Sequence, residues 1–219
     1  MKKTIAVIGA AGNMGSGITT NLAKAGYRVL IAGNDQSKLS SLLTKIKSNT
    51  PNADVEIIDC SKEASWEADI IIPAISYQAQ AAVASKIKDV VTGKIVISLA
   101  NPLNDTYDGL LTGATTSAAE ELAKLLPNSK VVKAFNTVFA ADFNTPKLGG
   151  NTFDVFVAGD DEEAVSEVSE IVKDAGFNPL AAGKLAVSRT LENMMLMLIG
   201  LSMKNNYNWL AGWKVLHNA

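Results

Sequence analysis

A glycine-rich turn between two short apolar segments constrains the fold of this 219-residue chain more than any other feature. The β-branched run Thr4–Ile8 predicts a strand, residues 9–15 supply small residues for a turn, and a helix is predicted over 14–25. A second strand is predicted over Arg28–Ala32. Strand, glycine turn, helix and strand within about 30 residues are typical of the first unit of a doubly wound α/β fold.

The same alternation of β-branched runs and helical periodicity continues along the chain. Further strands are predicted at 55–58, 69–73, 94–99, 130–135 and 153–157, and helices around 39–46, 78–91 and 162–175. Another helix is predicted to begin with a capping box at Ser117 and Glu120 and to end at Pro127. We therefore predict an α/β, doubly wound, mostly parallel sheet over residues 1–183, followed by a small helical segment over 184–219.

The segment 191–199 differs from the rest because it is apolar at nearly every position, with Met194, Met195 and Met197 among its residues. A helix that is hydrophobic all round is predicted to be buried on all sides. Its burial partner is either the core of this domain or a second subunit.

The charge balance and the scarcity of cysteine and histidine narrow the function classes. The chain has 20 Lys and Arg against 22 Asp and Glu, a net charge of −2, which disfavours a nucleic-acid partner. Cys60 is the single cysteine and His217 is the single histidine. These counts disfavour a disulfide framework, a histidine-dependent hydrolase and a metal centre. No apolar run approaches the roughly 20 residues of a spanning helix, so we expect no membrane segment and a cytoplasmic location.

The turn after the first strand has the residues of a pyrophosphate site. Small residues let the backbone turn tightly and approach a ligand, and the free N–H groups of a helix start favour an anion. The alternative is a tight turn without any ligand. The predicted pyrophosphate residues are Gly9, Ala11, Gly12, Asn13, Met14 and Gly15.

The end of the second strand is where the adenosine ribose of a dinucleotide is expected. Asp35 follows Gly15 by 20 residues, the interval at which an acidic side chain accepts hydrogen bonds from the ribose 2′-hydroxyl of NAD. A carboxylate there repels the 2′-phosphate of NADP, whereas Asn34 and Lys38 are donors for such a phosphate. Asp35 is also a candidate helix cap. These residues leave the choice between NAD and NADP open.

The ends of two later strands are predicted to contact the nicotinamide ring, because ligands of open α/β sheets bind outside the carboxyl ends of strands. Ala74, Ile75 and Pro102 are the small and aliphatic candidates, and ordinary turn chemistry is the alternative.

The charged residues of the second half include no evident acid or base catalyst. Lys133, Asp142 and Lys184 are interpreted as solvated surface charges. Arg189 is a candidate partner for an acidic acceptor or for Glu192, and a surface salt bridge is the simpler interpretation.

At these residues the chain resembles the deazaflavin-dependent NADP reductase family (coenzyme F420H2:NADP oxidoreductases) and the related reductase domains of metal-reducing STEAP proteins. The shared stretches are residues 5–17, 68–75, 131–137, 188–192 and 212–216. The resemblance implies a Rossmann domain that binds NADP(H), a small C-terminal helical portion and a homodimer. It also implies hydride transfer to a flat, flavin-like acceptor.

Carried over residue by residue, the resemblance assigns Gly9, Gly12, Asn13, Met14 and Gly15 to the pyrophosphate. Asn34 takes the place of a serine that contacts the 2′-phosphate, and Asn136 that of a polar residue near the acceptor cleft. Two departures matter: the family usually has arginine where Asp35 stands, and its deazaflavin reductases have histidine where Asn136 stands. The choice between NADP and NAD therefore remains open. The acceptor also remains open, with F420, a flavin, a quinone and a metal chelate as the candidates.

The function predicted from these observations is an NAD(P)H-dependent oxidoreductase with a small-molecule electron acceptor. Transfer between stacked rings needs orientation rather than a strong acid or base, which agrees with the residues available. Two alternatives remain: a reductase of an imine or a hydroxy acid, and a non-catalytic dinucleotide sensor that engages a protein partner.

Overall fold

A computed structural model describes residues 2–217. In that range the strands are β1 (Thr4–Ile8), β2 (Arg28–Ala32), β3 (Val55–Ile57), β4 (Ile70–Pro73), β5 (Ile95–Ser98), β6 (Lys130–Lys133), β7 (Lys147–Leu148), β8 (Asn151–Thr152), β9 (Asp154–Gly159) and β10 (Asn178–Gly183). The helices are α1 (Asn13–Lys24), α2 (Gln36–Asn49), α3 (Ser61–Glu67), α4 (Gln80–Ile87), α5 (Ala118–Leu125), α6 (Glu162–Asp174) and α7 (Ser188–Asn205).

Eight of the strands form one sheet in the order β10-β9-β6-β5-β4-β1-β2-β3, and β7 and β8 form a separate hairpin. Neighbouring strands of the large sheet are parallel except for β6 and β9, which are antiparallel. The predicted doubly wound, mostly parallel fold is confirmed. The strand order reverses between β1 and β4, and this reversal is the position at which such sheets open a ligand crevice.

Burial on both faces explains why the central strands are continuous apolar runs. Every residue of β4 is buried, as are residues 5–8 of β1. On one face Ile18 and Leu22 of α1 pack against the sheet, and on the other Ala84 and Ile87 of α4 do so. The glycine turn and the ends of β4, β5 and β6 are thereby fixed at one edge of a rigid sheet.

The structure adds elements that the sequence patterns do not predict. These are α3, the short hairpin and the edge strand β10. The hairpin strands have two residues each, and β10 contains Pro179, which is typical of a sheet edge. The helix predicted over 78–91 is also interrupted, since only α4 is α-helical and 3₁₀ turns flank it.

Helix α7 corrects the prediction of burial on all sides. Leu191 is buried, and Met195, Leu198 and Ile199 are buried in one cluster with Phe139. Other parts of its surface are exposed, with accessible fractions of 52% for Met197, 40% for Leu201 and 54% for Met203. Asn206 ends the helix in the left-handed conformation, which turns the chain back towards the sheet.

No helix within residues 2–217 has the length and apolar character that crossing a membrane requires.

Candidate functional site

The turn between β1 and α1 is so tightly folded that two of its glycines have no room for a side chain. Gly9 has φ +82°, and a Cβ atom there would lie 2.4 Å from the carbonyl oxygen of Ala74 and 3.0 Å from Ile75. A Cβ atom at Gly15 would lie 2.3 Å from the carbonyl oxygen of Gly9. The turn after β1 and the loop after β4 are therefore in direct contact, which brings the predicted residues Gly9, Gly15, Ala74 and Ile75 together.

The start of α1 presents backbone N–H groups rather than side chains. Its N-cap is Gly12, which supplies no side-chain acceptor, and its first turn contains no acidic residue. The amides of Asn13, Met14 and Gly15 occupy the first three helical positions, where an α-helix provides no internal acceptor. Gly12 and Asn13 are exposed and Ala11 and Met14 are half-buried. A bare helix start of this kind binds anions through its N–H groups and its dipole.

The end of β2 places three predicted ribose residues on the surface. Asn34, Asp35 and Lys38 are exposed. The Asp35 carboxylate caps α2 by accepting a hydrogen bond from the backbone N–H of Lys38 at 3.0 Å, and the Lys38 ammonium lies 3.3 Å from it. These two bonds hold the pKa of Asp35 below its usual value. The predicted helix cap is thus confirmed, and the carboxylate remains accessible.

The ends of β5 and β6 are joined by a pair of asparagine side chains. The Asn101 amide donates to the carbonyl oxygen of Asn136 at 2.9 Å, and the Asn136 amide donates to Asn101 Oδ1 at 2.9 Å and to the carbonyl oxygen of Leu191 at 3.0 Å. Asn136 is only 1% exposed. Its side chain links β5, β6 and α7 from within the protein. Pro102, the remaining predicted nicotinamide residue, is buried beside this pair.

Lys133, interpreted from the sequence as a surface charge, is completely buried. Its ammonium donates to Glu192 Oε1 at 2.7 Å and to the carbonyl oxygen of Ala100 at 2.6 Å, and both charged side chains have no exposed surface. The second carboxylate oxygen of Glu192 accepts the backbone N–H of Ala118 at 3.1 Å. Burial lowers the pKa of Lys133, and the Glu192 carboxylate opposes that shift.

Of two further charged residues, one differs from its predicted environment and the other forms a salt bridge, the simpler interpretation of the sequence. Asp142 is buried rather than solvated, and burial raises its pKa to about 7 although it accepts the Phe139 N–H. Arg189 pairs with Glu120, not with Glu192, through a 2.8 Å bond from Nε. This contact lowers the pKa of Glu120, which also accepts the Ser117 hydroxyl. Lys184 is exposed, as predicted.

A cavity of about 710 Å³ lies beside the first turns of α1. Its lining includes Asn13 of the glycine turn, Lys45 of α2, Asn144, and the aromatic residues Phe139 and Trp209. The two aromatic rings are in edge-to-face contact, with centroids 5.5 Å apart. The cavity combines an aromatic wall with amide and ammonium groups, and its size suits a small organic molecule.

Sequence reasoning missed the residues that only the fold brings together. Phe139 and Trp209 are 70 positions apart along the chain, and neither belongs to a recognisable motif. Glu192 did carry a signal, because it is an acidic residue inside an otherwise apolar helical segment. Such a residue is almost never fully buried unless it is paired, and its partner is Lys133.

Comparison with known proteins agrees with this geometry. The sequence matches the family described as NADP oxidoreductase, coenzyme F420-dependent, over residues 4–102. An F420-dependent NADP reductase of Methanothermobacter marburgensis is 30% identical over 216 residues, covering 92% of this chain and 93% of that protein. The metalloreductase STEAP3 of Rattus norvegicus is 28% identical over 86% of this chain, which corresponds to 36% of that protein. The predicted resemblance to both groups is confirmed.

Among solved structures, a protein of Arthrobacter sp. FB24, assigned provisionally as an F420-dependent NADP reductase, superposes with a TM-score of 0.82. It is 24% identical, and the match covers 97% of this chain and 99% of that chain. At this identity the likeness concerns the fold, which the two chains share over nearly their whole length.

Proposed function

Because the chain belongs to the family of coenzyme F420-dependent NADP oxidoreductases, we propose that it transfers a hydride between NADP(H) and a flat deazaflavin-type acceptor. At the level of its class, the protein is an NADP-dependent oxidoreductase. F420 is the acceptor that the names of the relatives support. A flavin, a quinone or a metal chelate is the competing acceptor, and NAD(H) the competing dinucleotide.

The glycine turn is the observation that supports cofactor binding most directly. The contacts of Gly9 and Gly15 leave space only for hydrogen and keep the turn tight, and the start of α1 has no side-chain cap, which supports a pyrophosphate bound to its N–H groups. Asn13, Met14 and Gly15 would hold the phosphates with their N–H groups, and Ala11 and Gly12 would line the turn. Asn34, Asp35 and Lys38 would face the ribose, and Ala74, Ile75 and Pro102 the nicotinamide.

The nicotinamide of a bound cofactor supplies the hydride, and the protein provides orientation and a dry site. The sequence suggests Asn136 and Arg189 as residues of the acceptor cleft. The buried position of Asn136 favours an indirect role, and Arg189 is paired with Glu120. We place the acceptor instead in the 710 Å³ cavity, against the rings of Phe139 and Trp209. The two rings are perpendicular, and the face of one of them would stack on a flat heterocycle.

The exposed apolar side of α7 supports the proposal of a homodimer. Met197 and Leu201 lie one turn apart on the same side of α7 and are more than a third exposed, and exposed apolar patches mark interaction surfaces. We propose residues 1–183 as the dinucleotide-binding domain and 184–219 as the dimer and acceptor segment, whose residues 218–219 lie outside the described part. Sedimentation should give a dimer at micromolar concentration, and a monomer would exclude this interface. We also propose that the protein is cytoplasmic.

The experiment offers F420, FMN, a quinone and a ferric chelate in turn to the purified protein with NADPH or NADH and follows the nicotinamide absorbance. We expect turnover with NADPH and F420. Trp209→Ala should raise the KM for F420 about tenfold, the effect of one lost stacking contact, and leave the dissociation constant of NADPH unchanged. Binding without turnover across the panel would favour a dinucleotide sensor and contradict the proposal.

The reductase of an imine or hydroxy acid is the less favoured alternative. A hydroxyl substrate needs a general base near the ring. Lys133 is engaged by Glu192 and Ala100, and Asp142 is buried against Phe139. Neither is available to a substrate in this arrangement, whereas transfer between stacked rings requires no such base.

A further inference from the structure

The buried Lys133–Glu192 pair links the C-terminal helix to the loop after β5, and we propose that it positions the nicotinamide half of the cofactor for hydride transfer. The inference rests on the proposed function and adds two positioning residues to it. Neither side chain has exposed surface, so both act through the loop and not by contact with the reacting atoms.

The contacts define how the pair acts. The Lys133 ammonium lies 2.6 Å from the carbonyl oxygen of Ala100 and 2.7 Å from Glu192 Oε1. Glu192 in turn is held by the N–H of Ala118 at the start of α5. Ala100 directly precedes Asn101 and Pro102, at the carboxyl end of β5, where the nicotinamide of a doubly wound fold is expected. The ammonium therefore fixes the backbone of the loop relative to α7.

A second, independent link runs parallel to the first. The Asn136 amide donates to Leu191 and to Asn101, and Asn101 donates back to the carbonyl oxygen of Asn136. Two consecutive residues of α7 are thus linked to two consecutive residues of the loop. Asn136 connects Leu191 with Asn101, and Lys133 connects Glu192 with Ala100. Two links of this kind prevent the loop from pivoting about either one.

Backbone strain occurs in the same segment. Phe135 is fully buried and has φ +61°, a left-handed conformation that is unusual for a bulky residue. Such strain persists where the surrounding structure over-determines the backbone, and it concentrates at functional sites. Phe135 lies between Lys133 and Asn136, so both links emerge from a segment that is held rigidly.

Stability alone does not account for a buried ion pair. Apolar residues of similar volume often replace such pairs without loss of stability. An apolar pair cannot hold the carbonyl oxygen of Ala100 in a fixed position, because only a donor does so. Orientation of the reacting ring is sensitive to this position, since a displacement of about 1 Å can lower the rate about 100-fold.

The test compares K133M/E192L, which keeps the core filled, with the control K173M/E170L, which makes the same substitutions at an exposed pair of α6. Calorimetry measures the affinities of NADP⁺ and of 2′-phospho-ADP-ribose, which lacks the nicotinamide. We expect K133M/E192L to lose about tenfold in NADP⁺ affinity, the effect of a misplaced hydrogen-bonding loop, with 2′-phospho-ADP-ribose unchanged. Its kcat should fall about 100-fold while its KM for the acceptor changes little.

The outcomes separate this inference from the proposed function. The inference would be overturned if K133M/E192L had the same kcat as the control and lost affinity equally for both ligands or for neither. That result would show that the pair serves only stability. If K133M/E192L does not fold, Glu192→Gln, which keeps the size of the side chain and removes only its charge from Lys133, is measured in the same way. The same split between the two ligands would support the inference, and its absence would overturn it. Failure of the wild-type protein to turn over NADPH would contradict the proposed function.

Discussion

The two ends of the proposed cofactor cleft fix their ligand by different means. At the pyrophosphate end the backbone itself forms the surface, and Gly9, Gly12 and Gly15 come from one stretch of seven residues. At the nicotinamide end the loop after β5 is held by Lys133 and Glu192, which are 59 positions apart. The first arrangement is local in sequence and depends on the absence of side chains. The second is assembled by the fold and depends on buried charges.

This difference predicts opposite responses to substitution. The glycine end should lose binding when a single methyl group is added, because its contacts are with rigid backbone. The nicotinamide end should lose stability when one charge of the pair is removed, because the other charge then remains buried without a partner.

The largest effect is expected from Glu192→Leu, which leaves the Lys133 ammonium buried without its carboxylate. Removal of one partner of a buried ion pair costs about 3–5 kcal/mol. Urea denaturation of the variant should show this loss in the free energy of unfolding. Glu170→Leu, at an exposed pair, should change it by less than about 1 kcal/mol. A loss at position 192 no greater than at position 170 would contradict the importance of the buried pair.

Gly15→Ala should break the other end of the cleft. The added methyl group would lie 2.3 Å from the carbonyl oxygen of Gly9 and 2.9 Å from the Cα atom of Ala10, so the turn must open. We expect NADP⁺ affinity to fall about 100-fold, which is about 2.7 kcal/mol. Gly200→Ala is the control, since nothing lies within 4 Å of its added Cβ atom. Calorimetric titration measures both, and equal affinities would show that the turn does not bind the cofactor.

Asp142 is a buried ionisable side chain beyond β6, as Lys133 is at the end of that strand. Its effect on stability at different pH values shows whether its charge is compensated in the same way. Its pKa is raised to about 7 from 3.8 by burial, so the folded state favours the protonated carboxyl. This contribution to stability is fully present at low pH and is lost as the pH rises towards about 7. Between about pH 5 and pH 8 the wild type should therefore lose about 2 kcal/mol relative to Asp142→Asn, which cannot ionise. Urea titrations at both pH values measure this difference, and a constant difference would contradict it.

The strands and the glycine turn could be predicted from the sequence because their signals are local. β1 and β2 have the predicted bounds, and α1 and α6 begin or end within one residue of them. The pattern of apolar residues depends on the period of the element itself. The candidate pyrophosphate residues follow from the same short stretch, which is why the resemblance and the local argument select the same glycines.

The environment of the charged residues could not be predicted, since it depends on contacts between distant segments. Lys133 and Lys184 have the same side chain, yet one is fully buried and the other is exposed. The burial of Lys133 depends on the antiparallel pairing of β9 with β6 and on the packing of α7. The apolar pattern of residues 191–199 likewise predicts burial but not the surface against which the helix packs, and Met197 of this segment is exposed.

Asp35 is the position at which the pyrophosphate end depends on a side chain, and it is expected to give the smallest effect. Its exposed carboxylate lies where the ribose is proposed to bind, so Asp35→Arg should replace repulsion of a 2′-phosphate by attraction. The affinity ratio of NADPH to NADH should rise about tenfold. Asp35→Asn retains the cap on Lys38 and removes only the charge, so it should give an intermediate ratio. Because loss of the cap affects both dinucleotides equally, the ratio isolates the charge, and an unchanged ratio in both variants would show that Asp35 serves α2 alone.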